Sequence, residues 1–291
     1  MILLTGATGT VGSALLRRLI ADRQQVRCLV RDPRRLGSER VRVQIALGDL
    51  GNPASFRHAL RGVDTVVHLA AAIRDQEDAS IEELNGVATM RLLRAAERAG
   101  VKRFLFYSAL GASLHSQSRF FRAKALAEDA VRHSAIDGVV FTPSIIYTPG
   151  DHWLRLLERM SWLPAVPVSG DGQALFQPIW ADDAAAVTMA VLEGQANGDA
   201  PIELAGPETM SQDQIIKTVL HSLGRRRRLV HVPLPVVRTG LRGLEALVGK
   251  TSAFATWEEA ELMEIPMVSA KSTADAEAHG VNPLRMSAVL N

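Results

Sequence analysis

The chain has 291 residues, of which 47% are hydrophobic and 22% charged, a composition that excludes a disordered chain and fits one large α/β domain with or without a smaller lobe. Its net charge of +2 gives no strong overall field for nucleic acid or an anionic membrane, so no nucleic-acid partner is expected. The single cysteine, Cys28, excludes an internal disulfide, and the eight scattered histidines show no metal-ligand spacing, so no metal site is expected. There is no apolar run of the ~18 residues that a transmembrane segment needs, and no targeting segment precedes the first strand, so we expect a cytoplasmic protein.

Short apolar strands alternate with helical patterns through the first half of the chain. Strands are predicted at 1–5, 25–30, 42–47, 64–70, 102–108 and 138–142, with helices at 11–22, 53–60, 81–99 and 119–134. The helices show apolar residues at spacings of three and four, whereas the strands are continuous apolar runs. Such alternation predicts a doubly wound parallel α/β sheet, with right-handed crossovers that place helices on both faces.

The pattern changes after Thr142, where prolines become frequent and the regular alternation stops. A helix is predicted at 179–194, capped by Asp182 or Asp183, and a last strand at 201–206. From Pro207 onward the chain is predicted to be mainly helical, with one extended piece at 228–235. The predicted organisation is a nucleotide-binding domain over 1–150, rejoined by about 173–206, and a small, mainly helical C-terminal lobe formed by 151–172 and 207–291.

A glycine-rich turn, TGATGTVG, joins the first strand to the first helix and places Gly6, Gly9 and Gly12 three residues apart. Glycines at such a junction let the backbone turn sharply and approach a pyrophosphate, whose charge the helix N-terminus stabilises. A strand before the pattern and a helix after it are the context in which it predicts dinucleotide binding.

The end of the second strand indicates which dinucleotide binds. Arg31 follows the strand directly, and a guanidinium there can hold the 2′-phosphate of NADP(H) through several N–H groups. NADP(H) is therefore favoured, and Asp32 leaves NAD(H) as the alternative, since a carboxylate at this place binds the ribose hydroxyls of NAD. Asp32 is also interpretable as a turn residue before Pro33.

The motifs TGATGTVG, LVRDP (29–33), GDL (48–50), VDTVVHLAA (63–71) and VKRFLFYSALGA (101–112) together resemble the atypical and extended short-chain dehydrogenase/reductases, in the NAD-dependent epimerase/dehydratase superfamily. GDGQALFQPIWADDAAA (170–186), ELAGPETMSQDQI (203–215) and LGRRRRLVHVPLP (223–235) are similar to the branch that contains the Rossmann-fold accessory subunit of respiratory complex I. The resemblance covers nearly the whole chain and implies a Rossmann sheet that binds a dinucleotide.

The resemblance also implies a set of cofactor-binding positions. Those for the pyrophosphate are Gly6, Thr8, Gly9, Thr10, Val11 and Gly12. Arg31 would meet the adenosine ribose phosphate, and Asp49 and Leu50 would border the adenine. Leu69, Ala70 and Ala71 would line the cleft, and Asn85 matches a structural asparagine. Pro143, Ser144 and Ile145 would lie beside the nicotinamide.

Active members of the superfamily carry a tyrosine and a lysine spaced Y-x-x-x-K on one helix, and the lysine lowers the pKa of the phenol so that it can transfer a proton. Lys124 matches the lysine, which also binds the nicotinamide ribose, but Phe120 stands where the tyrosine is expected. Neither Tyr107 nor Tyr147 has a lysine four residues later. The usual proton donor is therefore missing.

The serine or threonine that assists this reaction is also displaced. Its place at the end of the fifth strand corresponds best to Ala109, so Ser108, one residue earlier, is the candidate catalytic residue beside Lys124. Ser108 is equally interpretable as a strand-end hydroxyl bonded to backbone. Tyr147 and His152, just after the sixth strand, are alternative proton donors, and each is also interpretable as a packing or surface residue.

Three hypotheses follow. The first is a protein that holds NADP(H) for a structural or sensing purpose. The second is an NADPH-dependent reductase of a quinone or another small apolar substrate, with non-standard proton delivery, which would make it an NAD(P)-dependent oxidoreductase. The third is an assembly or interaction factor without bound nucleotide. The C-terminal lobe is the expected contact for a small apolar substrate or a protein partner.

Overall fold

The structure is a computed structural model that describes residues 1–76, 79–194, 200–248 and 256–291. The strands are β1 (Ile2–Thr5), β2 (Val26–Val30), β3 (Gln44–Leu47), β4 (Thr65–His68), β5 (Arg103–Tyr107), β6 (Asp137–Pro143), β7 (Ile146–Tyr147), β8 (Ala165–Ser169), β9 (Leu175–Phe176), β10 (Ile179–Trp180), β11 (Ile202–Leu204), β12 (Met210–Ser211) and β13 (Arg228–Val232). The helices are α1 (Thr10–Ala21), α2 (Pro53–Phe56), α3 (Ala88–Arg98), α4 (Arg119–Arg132), α5 (His152–Met160), α6 (Ala181–Glu193), α7 (Gln212–Ser222), α8 (Leu234–Val248), α9 (Trp257–Leu262), α10 (Ala274–Ala278) and α11 (Met286–Leu290). Short 3₁₀ segments cover Pro33–Val41 and Arg57–Leu60, and a π-helical turn covers Glu83–Val87.

Seven parallel strands form the central sheet in the order β3-β2-β1-β4-β5-β6-β11. From β1 the chain builds outward to β2 and β3 and then returns to place β4 on the other side of β1. The strand order therefore reverses between β1 and β4, the place where open α/β sheets bind their ligands at the carboxyl ends of the strands. The predicted doubly wound Rossmann sheet is confirmed.

The inner strands β1 and β4 are buried on both faces, which explains why their sequences are mainly apolar runs, whereas the edge strand β3 is largely exposed. Because neighbouring side chains point to opposite faces, Leu4 of β1 packs in a first core with α1 and α6, whereas Leu3 packs in a second core with α3. The same alternation assigns Val67 of β4 to the first core and Val66 to the second.

The later segments pack around a third core, which contains Phe121 of α4, Phe176 of β9 and Ile215 of α7. Three pairs of short strands border it: β8 with β13, β9 with β12, and β7 with β10. The chain also returns to the sheet, because β11 pairs with β6, and Ala276 of α10 is buried in the first core. The predicted division into a nucleotide-binding domain and a lobe stays a prediction. Helix α10 lies within the predicted lobe, 207–291, but packs against the central sheet.

The beginning of α6 differs from the sequence prediction. The helix starts at Ala181 after β10, and its N-cap is Trp180, so the prediction that Asp182 or Asp183 caps it is wrong. Asp182 lies 3.7 Å from a guanidinium nitrogen of Arg17 instead. The Asp183 carboxylate accepts a hydrogen bond of 2.9 Å from the backbone N–H of Leu284. Both aspartates are engaged by partners far away in the sequence.

Among the described helices, none is both long and apolar enough to cross a membrane. The described residues contain no group of three or more histidine, cysteine, aspartate or glutamate side chains that could hold a metal ion.

Candidate functional site

The glycine turn between β1 and α1 lies against the end of β4. Gly6 has a φ of +72°, and a Cβ on it would be 2.6 Å from the backbone nitrogen of Ala70 and 2.7 Å from the carbonyl carbon of Leu69. A Cβ on Gly12 would be 2.0 Å from the carbonyl oxygen of Gly6. Only glycine allows these approaches, which bring the predicted pyrophosphate positions next to the predicted cleft positions Leu69 and Ala70.

The N-terminus of α1 is open to an anion. Its N-cap, Gly9, is exposed, and in the described structure no side chain caps the helix and no acidic residue lies in its first turn. The first N–H groups of a helix have no partner within it, and the helix dipole favours negative charge there. Thr8 and Thr10, which flank Gly9, are partly exposed. This donor set fits the pyrophosphate of a dinucleotide.

At the end of β2, one of the two candidate ribose-binding residues, Asp32, is hydrogen-bonded within the chain and the other, Arg31, is exposed. The Asp32 carboxylate accepts a hydrogen bond of 2.9 Å from the backbone N–H of Arg34 and caps the 3₁₀ segment that follows. Arg31 is exposed and makes no ion pair within the described residues. The turn interpretation of Asp32 is confirmed, and Arg31 remains available to an anion.

At the end of β3, Asp49 organises a tight turn. One of its carboxylate oxygens accepts the N–H of Gly51 at 2.8 Å, and its own N–H donates to the Ser55 hydroxyl at 2.8 Å. Leu50 packs against the second core. The turn is at the same edge of the sheet as the glycine turn, because both follow the carboxyl ends of parallel strands.

Asn85 holds the loop after β4. Its Nδ2 donates to the carbonyls of Ala72 at 2.7 Å and Ile81 at 2.8 Å, and its Oδ1 accepts the N–H of Ala72 at 3.1 Å. Asn85 is buried within the π-helical turn, so these bonds fix the loop that begins at the half-buried Leu69 and Ala70 and the exposed Ala71. Asn85 therefore has a structural role, as the resemblance implies.

A buried chain of hydrogen bonds that sequence reasoning missed underlies the glycine turn. His68 Nδ1 is 2.6 Å from the Thr5 hydroxyl, and its Nε2 is 2.9 Å from the Thr89 hydroxyl. Burial, with the nearby charge of Lys124, lowers the pKa of His68 to about 3, so the imidazole stays neutral. The two threonines, polar residues within apolar runs, were the available sequence signal. The chain ties the ends of β1 and β4 to α3.

Lys124 of α4 is buried against the end of β5. Its side chain is 2% exposed, and its ammonium donates a hydrogen bond of 2.6 Å to the backbone carbonyl of Tyr107. The nitrogen is 4.9 Å from the ring centroid of Phe106 and 5.7 Å from that of Phe120. Burial lowers the pKa of Lys124 from 10.5 to about 7. A lysine of this kind can exchange a proton near neutral pH.

No tyrosine hydroxyl forms a hydrogen bond with this lysine among the described residues. The Tyr107 hydroxyl is 2.7 Å from the Thr188 hydroxyl in the first core. Tyr147 is fully buried in the third core, and its hydroxyl has no hydrogen-bond partner within the described chain. Burial raises the pKa of both tyrosines. Phe120, beside Lys124, has no proton to transfer.

The remaining predicted positions divide into one unpaired hydroxyl and several packed residues. Ser108 is 3% exposed, and its hydroxyl has no hydrogen-bond partner in the described part of the chain. Ser144 donates at 2.7 Å to the carbonyl of Met267, so it joins β6 to a later segment. Pro143 ends β6, and Ile145 packs against the third core.

His152, the other alternative proton donor, is the first residue of α5. It is exposed, and its Nε2 is 3.3 Å from a guanidinium nitrogen of Arg74.

An ion network that sequence reasoning did not find begins one residue before Phe120. Arg119 donates to both oxygens of Glu82 at 2.6 Å and to both oxygens of Asp75 at 3.1 Å. These carboxylates raise the pKa of Arg119 and keep it charged. The network fixes the beginning of α4, and with it Phe120 and Lys124, against the loop that follows β4.

Comparison with known proteins identifies the family of the chain. A family model described as NAD(P)H-binding matches residues 6–158, which include the glycine turn, Lys124 and the end of β6. The chain belongs to this NAD(P)H-binding family. It is an extended short-chain dehydrogenase/reductase-like protein, and a nicotinamide dinucleotide is the cofactor of its family.

Relatives of this chain have several functions. It is 28% identical to a ceramide reductase of Caulobacter vibrioides, with 90% of this chain and 84% of the relative covered. It is also 28% identical to subunit 9 of the NADH dehydrogenase [ubiquinone] 1 alpha subcomplex of Arabidopsis thaliana, with 84% of this chain and 63% of the relative covered. An NAD(P)H azoreductase of Xenophilus azovorans is 29% identical, with coverage of 84% and 81%.

A solved dTDP-glucose 4,6-dehydratase of Streptomyces venezuelae with bound NAD has the same fold, with a TM-score of 0.74 and 19% identity over all of this chain and 95% of that one.

Proposed function

We propose that this protein binds NADP(H) and holds it in a structural or sensing role, without the proton transfer that the superfamily usually couples to hydride transfer. The observation that carries the proposal is Phe120, which occupies the place of the proton donor beside Lys124. The Tyr107 hydroxyl lies 2.7 Å from that of Thr188 in the first core, and Tyr147 is buried in the third core without a hydrogen bond to Lys124 in the described residues. Hydride transfer to a carbonyl leaves an alkoxide that needs a proton, and a positioned acid contributes about 10²–10⁴ to such a rate.

The proposal that the protein binds a dinucleotide rests on its NAD(P)H-binding family and on the backbone N–H groups at the N-terminus of α1. The first turn of α1 would hold the pyrophosphate, and Lys124 would reach the nicotinamide ribose. When bound, the dinucleotide supplies a hydride at its nicotinamide ring. Lys124 supports a binding role, because a buried ammonium destabilises the fold, and its 2.6 Å bond to Tyr107 recovers only part of that penalty.

The preference for NADP(H) over NAD(H) is supported by the contrast at the end of β2. Asp32 uses a carboxylate oxygen to cap the 3₁₀ segment, whereas Arg31 is exposed and free of ion pairs in the described residues. An unpaired guanidinium there would favour a 2′-phosphate.

A Phe120→Tyr variant tests the proposal directly. Wild-type protein is expected to bind NADPH and not to oxidise it with aldehydes or quinones above the protein-free rate. The variant restores the Y-x-x-x-K spacing with Lys124, and it is expected to retain NADPH affinity and to gain a carbonyl-dependent rate of about 10² or more. A substrate-dependent rate in the wild type, unchanged in the variant, would contradict the proposal.

A second candidate function is an NADPH-dependent reductase of a quinone or another small apolar substrate. The pKa of Lys124, about 7, favours it, because the ammonium itself could deliver a proton, and the unpaired hydroxyl of Ser108 could bind a substrate oxygen. Relatives named ceramide reductase and NAD(P)H azoreductase support a reductase. This candidate predicts turnover in the wild type that Lys124→Met abolishes and that falls as pH rises through about 7.

A third candidate is an assembly or interaction factor without nucleotide. A photosystem II assembly factor of Cyanophora paradoxa is 24% identical over 88% of this chain, which supports such a role. It predicts no binding of NADPH or NADH. A cytoplasmic location, and a partner or apolar substrate at the C-terminal segments, are part of the proposal for each candidate.

A further inference from the structure

A surface cluster of exposed and half-buried arginines and exposed apolar residues lies far from the glycine turn in the sequence, and we name it the Arg–Trp patch. It consists of the turn after α5, Trp162–Pro164, and the segment Arg225–Arg228 that leads into β13. The two segments touch: the Arg225 guanidinium lies 3.6 Å from the ring centroid of Trp162. Arg227 donates a hydrogen bond of 2.9 Å to the carbonyl of Ser161, which precedes the turn.

The apolar side chains of the patch project into solvent. Trp162 is 72% exposed and Leu163 46% exposed, although both are large and the chain has an extensive third core beside them. Exposed apolar side chains grouped together on a folded protein mark interaction sites. The stacked Arg225 guanidinium covers one face of the indole ring and leaves the rest of Trp162 open.

The positive charge of the patch is not balanced locally. Arg225 to Arg228 are consecutive, and none of the four forms an ion pair with a carboxylate within the described residues. The net charge of +2 is the sum over the whole chain and conceals this local excess. Arg226 and Arg228 are exposed, and the Arg225 guanidinium is stacked on Trp162, so these arginines present a surface complementary to an anionic one.

We propose that the Arg–Trp patch docks the protein on the surface of an anionic lipid bilayer. Trp162 and Leu163 would enter the headgroup region, where an amphipathic indole ring is most stable, while the arginines would bind lipid phosphates. Guanidinium groups bind phosphate oxygens through two N–H groups, which suits several phosphates in one plane. Two large exposed apolar side chains on one turn, beside arginines without a carboxylate partner in the described residues, match this surface better than a protein interface with mixed charges.

The inference does not depend on the proposed function. No residue of the Arg–Trp patch belongs to the glycine turn or to the surroundings of Lys124. Membrane docking can therefore be measured without nucleotide, and NADPH binding can be measured without lipid.

The test is cosedimentation of the full-length protein with vesicles made of equal parts phosphatidylglycerol and phosphatidylcholine, against vesicles of phosphatidylcholine alone. Binding is expected with the anionic vesicles only, and it should weaken as salt is added. An Arg226→Gln, Arg228→Gln double variant should bind about thirtyfold more weakly, since each basic residue near an anionic surface contributes about fivefold. The two side chains are exposed, so the fold should not change.

A matched control removes the same charge elsewhere. Arg94 and Arg98 of α3 are also exposed and lie outside the patch, so Arg94→Gln, Arg98→Gln should bind vesicles like the wild type. Trp162→Ala should weaken binding about tenfold, because it removes the side chain that enters the interface. The quenching of tryptophan fluorescence by brominated lipid should be smaller in Trp162→Ala than in the wild type.

Three results would overturn the inference. The first is wild-type protein that does not sediment with the anionic vesicles, as a patch for an acidic protein partner would behave. The second is equal binding to neutral vesicles. The third is an equal loss of binding in the patch variant and in the Arg94→Gln, Arg98→Gln control, which would show that total charge rather than the patch is responsible.

Discussion

Replacement of the buried Lys124 by methionine should stabilise the protein near neutral pH while weakening its hold on a dinucleotide. Lysine and methionine have side chains of similar length, and Lys124 is 2% exposed and packed beside Phe106 and Phe120. Methionine fills such a space without a charge. The prediction therefore separates the effect of the buried ammonium on folding from its effect on binding.

The magnitude follows from the pKa of Lys124, which is lowered from 10.5 to about 7. This difference corresponds to about 5 kcal/mol at about 1.4 kcal/mol per pH unit. Between these two pH values the unfolded chain binds the proton and the folded chain does not, so the wild-type free energy of unfolding rises with pH. The penalty is complete below pH 7 and is lost by pH 10.5.

Loss of the bond to the Tyr107 carbonyl opposes this gain by about 1–3 kcal/mol. The free energy of unfolding of Lys124→Met should therefore exceed that of the wild type by about 2–4 kcal/mol at pH 7. This difference should vanish near pH 9, where the buried ammonium still costs about 2 kcal/mol and the lost hydrogen bond offsets it. Urea unfolding of both proteins between pH 7 and pH 10 measures this difference, and other titrating groups cancel. A difference that does not change with pH would refute the reasoning, as would unchanged NADPH affinity.

Three further predictions concern the glycine turn, the ribose site and the loop after β4. Gly12→Ala should lower the free energy of unfolding by about 3 kcal/mol, because its Cβ would be 2.0 Å from the backbone carbonyl oxygen of Gly6. The control Gly240→Ala lies in α8, where a Cβ meets open space, and it should be neutral or stabilising. Equal changes in Tm for the two variants would contradict this. Arg31→Ala should weaken NADPH about tenfold more than NADH in a fluorescence titration, and equal losses would show that Arg31 does not bind the phosphate. Asn85→Ala should lower the free energy of unfolding by about 2–3 kcal/mol through three lost hydrogen bonds, and an unchanged urea midpoint would argue against its structural role.

The central sheet could be predicted because its signals are local. Continuous apolar runs define strands, and the glycines at 6 and 12 mark a turn whose backbone contacts leave no room for a Cβ. The cap of α6 could not be predicted, because β10 pairs with β7 and brings Trp180 to the N-cap, while Leu284 engages Asp183. Such partners are defined by tertiary structure alone.

The candidate site also combines features that the sequence shows locally with contacts that only the tertiary structure defines. The spacing of Phe120 and Lys124 on one helix is a sequence property, and it predicted both the lysine and the missing phenol. The contacts that orient them are long-range: His68 joins two threonines 63 and 21 residues away, and Arg119 binds carboxylates 44 and 37 residues away. No periodicity of the sequence relates these residues.

One fluorescence experiment tests most directly whether the protein holds NADPH without using it. NADPH is titrated with wild-type protein until its emission stops changing, and a quinone or an aldehyde is then added to the same sample. We predict an emission change on binding that persists after the addition and is lost in Gly12→Ala. An emission that protein does not change, or one that decays with substrate faster than in a protein-free sample, would contradict the account.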